Sequence, residues 1–516
     1  MWKLVASVVL VLWISSYLYS LYLDSQKDIH ELALKEQSNI SPTRKEDETA
    51  IYRNNQTPHG LPLTTGLQVR HGFKLRNGNL RDVWSVIMSK KNINNLTFLN
   101  QGIETIVDIY TLNSAIGKVA SFAKEHNCQT IGTTAPLYSF EGFVTTIACF
   151  VNGLTIHNFN HLPRSTPKDI DLMIIPESEL NFALKLNFKL ILVICEDRSK
   201  TFKQSNLINW SILGDLFETK LEKYEYKYKP EYDDGTPYIE THNFKTTSYS
   251  HQNFVSSIAA TTKELPLGHE LNNQDKILIG YESSSVKYLS KILTILLFGG
   301  SIVLGNSNDS IFKPDLIGKY SITILAVDSN TAKRFFLNSE TLKQYNGLIN
   351  SILFKRAQYL LGKGIFTQFA SLSKFKTLRL IYIDQLNEKN QQISIPDLNK
   401  IRVISNARII TERYFPGVIG PILSTNFYDY RIFTNPKLKN RGTSSLSLEL
   451  KLFKYKDLDI EKRNGELCIR GFIIGKPSDH EDLINAIQRG EEVGSEGWMP
   501  TGIIGKLGVD GCFYES

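Results

Sequence analysis

The residues whose types and spacing could carry chemistry lie in the C-terminal tail rather than among the cysteines. The five cysteines form no CxxC pair and no metal-ligand spacing, so we expect reduced core thiols and no metal site. They are Cys128, Cys149, Cys195, Cys468 and Cys512. The tail reads GELCIRGFIIGKP from Gly465 and, after an insertion, GWMPTGIIGKLGVDGCFYE from Gly497. The chemistry of the chain is therefore to be sought in this glycine-punctuated tail.

The tail resembles the nucleotide-ribose region of the adenylate-forming (AMP-binding) superfamily, which includes acyl-CoA synthetases and luciferases. The family pattern there is GE-x-x-x-RG, then GW-x-x-TGD-x-G, then D-x-DG. The matching residues are Gly465, Glu466, Arg470, Gly471, Gly497, Trp498, Thr501, Gly502, Gly505, Asp510 and Gly511. Upstream, residues 250–254 resemble the segment that follows the family's phosphate loop, and residues 296–304 resemble the strand beside its acyl pocket. The resemblance covers residues 72–516 and implies a fold built for ATP-dependent activation of a carboxylate.

The resemblance aligns residues 237–246 with the phosphate loop of the family. Glycines are needed in such a loop because only a backbone without side chains brings its N–H groups close to phosphates. Thr241 and Lys245 match the family's threonine and lysine. The three glycines are replaced, by Ile239, His242 and Thr246. Because a β-branched isoleucine does not adopt a positive φ without strain, we expect the loop to have lost its phosphate-binding geometry.

Two further parts of the family's nucleotide site also differ here. Thr411 and Glu412 match the pair that serves phosphate and Mg²⁺, but the aromatic residue and glycine expected before them are missing. Ile503 replaces the aspartate that binds the ribose hydroxyls, and an isoleucine side chain accepts no hydrogen bond. The chain also ends at Ser516, where the family continues into a lid of roughly a hundred residues that carries a lysine, so we expect the lid to be absent.

The expected nucleotide site is therefore vestigial, with no catalytic residue expected to function. Its remaining members are Thr241, Lys245, Thr411, Glu412, Trp498, Thr501 and Gly502. We expect no cofactor. ATP and Mg²⁺ would be required only if the site has been rebuilt.

Alternating apolar runs predict the elements that hold these residues. Residues 190–194 and 322–327 have the length and composition of buried strands, whereas residues 255–260 and 331–336 are predicted helices. This βαβ rhythm predicts an α/β fold with a largely parallel sheet covered by helices. The resemblance specifies the large N-terminal domain of the acyl-CoA synthetase/luciferase-like fold, with helix-covered sheets and a small distorted β-barrel.

The N-terminus predicts one transmembrane helix before this domain. Residues 4–23 contain no charged residue, and twenty residues at helical rise span about 30 Å, the thickness of the hydrocarbon core. A cleaved signal peptide is the alternative. The polar residues that follow show no period and predict a flexible linker. The predicted domains are thus an anchor at 1–24, a linker at 25–70 and a synthetase-like domain at 71–516.

These features predict a membrane-anchored pseudoenzyme without adenylation activity, acting in lipid-related binding or regulation at an internal membrane. Two alternatives stay open: an active ATP-dependent long-chain fatty acid–CoA ligase with a rebuilt site, and a structural adaptor that uses the fold as a protein-interaction surface. The expected partners are the membrane through residues 4–23, a lipid or acyl ligand, and a protein. Nucleic acid is not expected, because the net charge of +7 is spread along the chain. The resemblance favours the endoplasmic reticulum or a lipid droplet, with the large domain facing the cytosol.

Overall fold

The computed structural model describes thirteen stretches of the chain and two large mixed sheets within them. The described residues are 2–42, 45–58, 60–71, 74–90, 95–167, 169–214, 216, 235–242, 245–281, 286–366, 375–385, 391–431 and 439–516. Residues 383–386, which the resemblance aligns with the glycine-rich adenine turn of the family, lie partly outside these ranges, since Leu386 is not among them.

The helices alternate with strands through the middle of the chain, as the apolar rhythm predicts. They are α1 (Trp2–Ser25), α2 (Leu80–Met88), α3 (Ile109–Glu125), α4 (Phe140–Asn152), α5 (Leu180–Ala183), α6 (His251–Thr262), α7 (Leu289–Leu297), α8 (Asp315–Lys319), α9 (Ser329–Phe336), α10 (Ser339–Lys343), α11 (Leu348–Gly362), α12 (Ile395–Ser405) and α13 (His480–Glu492). The predicted helices at 255–260 and 331–336 are confirmed as parts of α6 and α9.

The strands are short, and several of the parallel ones are almost entirely apolar. They are β1 (Ser38–Ile40), β2 (Tyr52–Asn54), β3 (Val69–His71), β4 (Lys74–Arg76), β5 (Asn95–Asn100), β6 (Ile103–Asp108), β7 (Thr130–Thr133), β8 (Thr155–Phe159), β9 (Leu172–Pro176), β10 (Leu190–Ile194), β11 (Leu207–Asn209), β12 (Tyr238–His242), β13 (Lys245–Tyr249), β14 (Lys276–Tyr281), β15 (Ser301–Asn306), β16 (Ile324–Asp328), β17 (Leu380–Asp384), β18 (Arg408–Arg413), β19 (Leu423–Ser424), β20 (Lys439–Ser444), β21 (Leu448–Phe453), β22 (Asn464–Gly471), β23 (Lys476–Pro477), β24 (Met499–Leu507) and β25 (Phe513–Glu515).

The larger sheet has a parallel centre and antiparallel ends. Its order in the described residues is β1-β2-β21-β22-β24-β25-β20-β19-β18-β17-β16-β14-β15-β5-β6. The six strands from β18 to β5 are parallel, whereas β19 and β6 run antiparallel to their neighbours. The second sheet has the order β11-β10-β9-β7-β8-β12-β13-β23, parallel from β11 to β12. The prediction of largely parallel sheets covered by helices is confirmed.

Strand β16 illustrates how one strand supplies two cores. Successive side chains of a strand point to opposite faces. Ile324 and Ala326 contribute to a core that also includes α3, α4, α6 and α7 and the inner face of the second sheet. Leu325 and Val327 face the opposite core, under α8, α9 and α12. A sheet buried on both faces explains why β16 reads as a continuous apolar run rather than as an alternating one.

The segment at 25–70 is not the flexible linker that its composition predicts. Strand β2 pairs with β1 and with β21 of the large domain, and Ile51 and Tyr52 are buried. Arg53 donates a 2.7 Å hydrogen bond to Glu449, and Glu48 accepts one from Lys451. The prediction was wrong because these polar side chains bind charges of the domain, and strands of three residues are too short to show a period.

Helix α1 is exposed in its described residues, except at Leu23, which is half-buried. It is long and apolar enough to cross a membrane, although a signal sequence near the N-terminus has the same length and composition. Its end is fixed to the domain just after the last apolar turn. The Asp28 carboxylate lies 3.0 Å from the Arg408 guanidinium and accepts a 2.9 Å hydrogen bond from the Tyr430 hydroxyl. The candidate membrane span is therefore continuous with the folded domain.

Candidate functional site

The segment aligned with the phosphate loop forms a β-hairpin. Strands β12 and β13 pair from Tyr238 with Tyr249 to His242 with Lys245, so only two residues connect them. Tyrosine, isoleucine and threonine dominate both strands, and such residues favour a pleated strand over an open loop. Each position at which the family has glycine is a ladder position here: Ile239 pairs with Ser248, and Thr246 with Thr241. Paired strands therefore stand at the positions that the resemblance aligns with the phosphate loop.

The side chains of the hairpin form hydrogen bonds with one another and with a neighbouring strand of the second sheet. The Thr241 hydroxyl lies 2.7 Å from His157 Nε2 and 2.9 Å from the Thr246 hydroxyl. Burial lowers the pKa of His157 to about 4, so its imidazole is neutral at physiological pH. Lys245 is exposed at the end of the hairpin. Of the two matching residues in this segment, only Lys245 remains directed to solvent.

The glutamate aligned with the Mg²⁺-binding residue is committed to a buried ion pair. Glu412 is 1% exposed, and its Oε1 accepts a 2.6 Å hydrogen bond from Lys291, which is 2% exposed. Its Oε2 accepts a 3.0 Å hydrogen bond from the Tyr414 hydroxyl. Burial raises the pKa of Glu412, and the neighbouring Lys291 ammonium opposes that rise. Both carboxylate oxygens therefore already have partners inside the protein.

Lys291 lies in a polar cage, on a helix whose other residues are uncharged. Its Nζ lies 3.7 Å from the centre of the Tyr382 ring and 3.9 Å from Glu264 Oε2, in addition to the contact with Glu412. Removing one member of a buried ion pair costs about 3–5 kcal/mol because the other charge is left without a partner. A metal ion that recruited Glu412 would have to offset a cost of this size.

A second lysine neutralises the carboxylate of the neighbouring strand. Asp384 lies beside Glu412 in the parallel register of β17 and β18, at the carboxyl ends of both strands. Its Oδ2 accepts a 2.6 Å hydrogen bond from Lys287, four residues before Lys291. In open α/β sheets, ligands bind outside the carboxyl ends of the strands. Lys287 and Lys291 thus bind the acidic side chains at the carboxyl ends of these strands, where a ligand would bind in such a sheet.

Residues 286–291 also connect the hairpin to this strand edge. The backbone N–H of Val286 donates a 3.3 Å hydrogen bond to Glu240 of β12. Burial raises the pKa of Glu240 to about 7, against the opposing effect of Lys287. The ring of Tyr288 lies 5.5 Å from that of Tyr414. These contacts bring the hairpin, Asp384 and Glu412 into one connected cluster, which we call the lysine-bridged cluster (Glu240, Lys287, Lys291, Asp384 and Glu412).

The hydrogen bonds of Thr411 stabilise the large sheet rather than the lysine-bridged cluster. Its backbone N–H donates a 2.9 Å hydrogen bond to the Thr425 hydroxyl, and its own hydroxyl lies 3.3 Å from the same atom. Thr425 in turn donates its backbone N–H to the Thr411 carbonyl. The retained Thr411 therefore joins β18 to the segment that follows β19.

The tail residues lie on the antiparallel end of the large sheet. The Trp498 ring is buried between Lys451 Nζ, 4.7 Å from its centre, and the Arg470 guanidinium at 4.6 Å. The Thr501 hydroxyl donates to the Leu467 carbonyl, and the backbone N–H of Gly502 donates to the Glu466 carboxylate at 2.7 Å. These contacts are with β21 and β22, and not with the lysine-bridged cluster.

Glycine is required at position 502 by the backbone, and the next residue is apolar. Gly502 has φ of 72° in open space, so the turn rather than packing excludes a side chain there. Ile503 is partly buried against the apolar core around β21 and β22. Its side chain adds to packing at the position where the family binds ribose.

The sequence reasoning missed the two lysines and Asp384. Lys291 stands in the apolar run SKILTILLFGG, and a lysine inside such a run was a usable signal, because a buried lysine needs a partner. The run continues into residues 296–304, which resemble the strand beside the acyl pocket of the family. Its apolar side chains, including Ile292, Leu296 and Leu304, pack in the main core.

The comparisons with known proteins agree with this fold. No model of a known protein family matches the chain. The uncharacterized protein YHR045W of Saccharomyces cerevisiae is 33% identical over 568 residues, which cover 99% of this chain and 98% of the yeast protein.

Solved structures of similar fold are adenylate-forming enzymes. The luciferase-like enzyme from the nonluminescent mealworm Zophobas morio has a TM-score of 0.61 at 14% identity, covering 88% of this chain and 98% of that chain. The N-terminal domain of FACL13 from Mycobacterium tuberculosis has a TM-score of 0.60 at 12% identity, covering 85% of this chain and 100% of that chain. The chain thus belongs to the same family as the yeast protein YHR045W, and its fold is that of the adenylate-forming superfamily.

Proposed function

We propose that this chain is a membrane-anchored pseudoenzyme of the adenylate-forming fold, without adenylation activity, that acts in lipid-related binding or regulation at an internal membrane. The observation that carries the proposal is the lysine-bridged cluster. Glu412 and Asp384, the carboxylates at the ligand-binding edge of the sheet, are each neutralised by a lysine of the chain itself. Adenylation requires Mg²⁺ to be held by accessible oxygen ligands, and neither carboxylate is free to serve.

Two further features support the loss of adenylation independently of the lysines. The hairpin presents paired strands where the phosphates of ATP would need free backbone N–H groups. Losing one such donor costs about 10²–10³ in rate. Ile503 supplies no acceptor for the ribose hydroxyls. Each feature alone would slow the reaction, and together they favour a binding role.

A small cavity near the end of α1 favours a ligand that binds close to the membrane rather than in the nucleotide site. The cavity has a volume of about 160 Å³, below the roughly 300–1,000 Å³ of drug-sized pockets. Its lining includes Ser257, Thr261 and Asn426, with Glu264 as a carboxylate and no lysine or arginine. Ile29, six residues beyond the last apolar residue of α1, also lines it. Hydroxyl and amide groups at this place suit a neutral polar headgroup better than a long acyl chain.

The test of the missing activity is ATP–pyrophosphate exchange by the full-length protein in lipid nanodiscs with a panel of fatty acids. An active acyl-CoA ligase assayed in parallel is the control. We expect no exchange above background and no stoichiometric ATP complex at micromolar concentration by calorimetry. Exchange with any fatty acid would overturn the proposal in favour of a rebuilt ligase.

Mass spectrometry of the purified protein separates a binding role from a purely structural adaptor. We expect a co-purifying lipid at near-stoichiometric amount that is reduced in a Thr261→Leu variant, whose larger apolar side chain narrows the cavity. A protein that carries no lipid and still binds a protein partner would favour the adaptor.

Membrane anchoring has its own test. We expect the full-length protein to stay in the membrane fraction after carbonate extraction, with its N-terminus intact. Release by carbonate, or a mature N-terminus near residue 25, would show that α1 is a signal sequence. The endoplasmic reticulum or a lipid droplet, with the large domain in the cytosol, is the proposed location.

A further inference from the structure

Helix α11 exposes an apolar face to solvent. Its large apolar side chains are exposed by 83% at Leu348, 71% at Ile349, 61% at Ile352 and 60% at Tyr359. Apart from α1, no helix in the described stretches exposes as many large apolar side chains. Residues three or four apart lie on one side of a helix, so Leu348, Ile349 and Ile352 form an apolar stripe, which the exposed Lys355 and Arg356 separate from Tyr359 further along the same side. A soluble domain normally buries such a stripe or uses it for binding.

The opposite side of α11 fixes the helix to the domain. Ala357, Leu360 and Leu361 are buried and form a small core with Val403 of α12. The exposed stripe is therefore not a sign of a loosely held helix. It belongs to an element that is packed on one face and free of protein contact on the other, within the described residues.

The position of α11 beside the end of α1 indicates what covers the stripe. Leu23 of α1 packs against the small core of α11. Five residues later in the chain, the backbone N–H of Asp28 donates a 3.1 Å hydrogen bond to the Gly364 carbonyl, just past the end of α11. If residues 4–23 fill the hydrocarbon thickness of about 30 Å, Leu23 marks the boundary between hydrocarbon and headgroups. The carboxyl end of α11 then lies at that boundary.

The charges on α11 also suit a membrane surface. The helix contains Lys355 and Arg356, both exposed, and no acidic residue, and Lys363 follows its last residue. An interfacial helix typically combines an apolar stripe with flanking basic residues that bind anionic headgroups.

We propose that α11 lies in the membrane–water interface, with its apolar stripe inserted among the lipids of the leaflet from which α1 emerges. This inference rests on the proposed anchoring by α1 and adds a second, surface-bound contact. Such a contact holds the domain flat against the membrane and turns the cavity lined by Ile29 towards the bilayer.

The test places an environment-sensitive fluorophore on the stripe of the full-length protein. Ile352→Cys is labelled with NBD in a Cys195→Ser background, since the other four cysteines are buried. The matched control is Ile487→Cys on α13, an isoleucine of similar exposure, 53% against 61%, on a helix far from α1 in the chain. Both proteins are reconstituted in phosphatidylcholine vesicles with and without phosphatidylserine.

We expect the label at 352 to show blue-shifted emission and quenching by doxyl-labelled lipid, while the label at 487 shows neither. Phosphatidylserine should increase the quenching, and Lys355→Gln with Arg356→Gln should remove that increase. A label at 352 that stays in water, or that is shielded from lipid quencher as well as from water by a second protein copy, overturns the inference. Flotation of the vesicles separates this failure from failure of the anchor, because a protein without a membrane span would not float at all.

Discussion

Removing Lys291 tests whether Glu412 is held as the structure shows. Lys291→Met keeps a straight apolar side chain of similar length and deletes only the charge. Glu412 Oε1 then loses the 2.6 Å contact to Lys291 while the carboxylate stays 1% exposed, and among the described residues the Tyr414 hydroxyl is the donor that remains. We expect the free energy of unfolding to fall by about 3–5 kcal/mol at pH 8, as for other buried pairs that lose one partner.

The pH dependence of this loss identifies Glu412 as its source. The pKa of Glu412 is raised above 4.5 by burial, and the loss of Lys291 removes the interaction that opposes the rise. A carboxyl group whose pKa is higher in the folded than in the unfolded protein binds its proton more tightly when the protein is folded. Its contribution to the free energy of unfolding is therefore fully present below pH 4.5 and is lost as the pH rises through the pKa of the folded protein. The deficit of the variant should therefore grow between pH 5 and pH 8 by at most about 1.4 kcal/mol per pH unit.

The measurement is urea denaturation of the full-length protein in detergent micelles, followed by tryptophan fluorescence from buried Trp84 and Trp498. Lys287→Met is the matched control. Lys287 is 28% exposed beside Asp384, so its loss should cost about 1.5–3 kcal/mol, the value of a hydrogen bond to a charged group. Lys291→Met combined with Glu412→Gln should cost less than the sum of the two single changes. A cost below about 0.5 kcal/mol for Lys291→Met, without pH dependence, would show that Glu412 is not committed to this pair.

Three further outcomes follow from the contacts described above. Ile503→Asp alone should not restore ATP–pyrophosphate exchange, because the hairpin and the lysine-bridged cluster remain; exchange in that variant would mean that one substitution silenced an otherwise intact enzyme. Asp28→Ala should lower the free energy of unfolding by about 1.5–3 kcal/mol through loss of the contact to Arg408, and an unchanged urea midpoint would detach the end of α1 from the domain. The exposed sequons at Asn95 and Asn308 should carry no glycan in cells if the domain faces the cytosol, and an endoglycosidase-sensitive mass shift would place it in the lumen.

The sequence alone was sufficient to predict the fold. The spacing of Gly465, Trp498 and Gly502 in the tail carries the resemblance, because turns with special backbone geometry preserve glycines at fixed intervals. Apolar runs such as 190–194 are confirmed as central strands, since a strand buried on both faces must be apolar throughout. The sequence also predicted the replacement of the loop glycines, and the hairpin agrees with the β-branched Ile239 and Thr246 at two of the three positions.

Local sequence could not show which charges pair across the fold. Lys291 and Glu412 are 121 positions apart, and no periodicity relates them. The segment 25–70 looked unstructured because its polar residues find their partners hundreds of positions away, as Arg53 does with Glu449. Asn209 is a further example: it begins an Asn-Trp-Ser glycosylation sequon, but it is buried in the fold and its side-chain amide donates to the Lys200 carbonyl at 2.8 Å.

What the sequence by itself determined is the adenylate-forming fold, and it predicts the loss of residues that bind a nucleotide, because both depend on the types of residues at fixed local spacing. The tertiary structure alone decided that Glu412 is held by Lys291, that the presumed linker is part of the large sheet, and that the apolar stripe of α11 faces away from the core beside α1. These features depend on which distant surfaces meet when the chain folds. A buried lysine and an exposed leucine are each unfavourable in isolation. The three-dimensional arrangement supplies the carboxylate that stabilises the lysine, and it places the exposed leucine beside the membrane that we propose covers it.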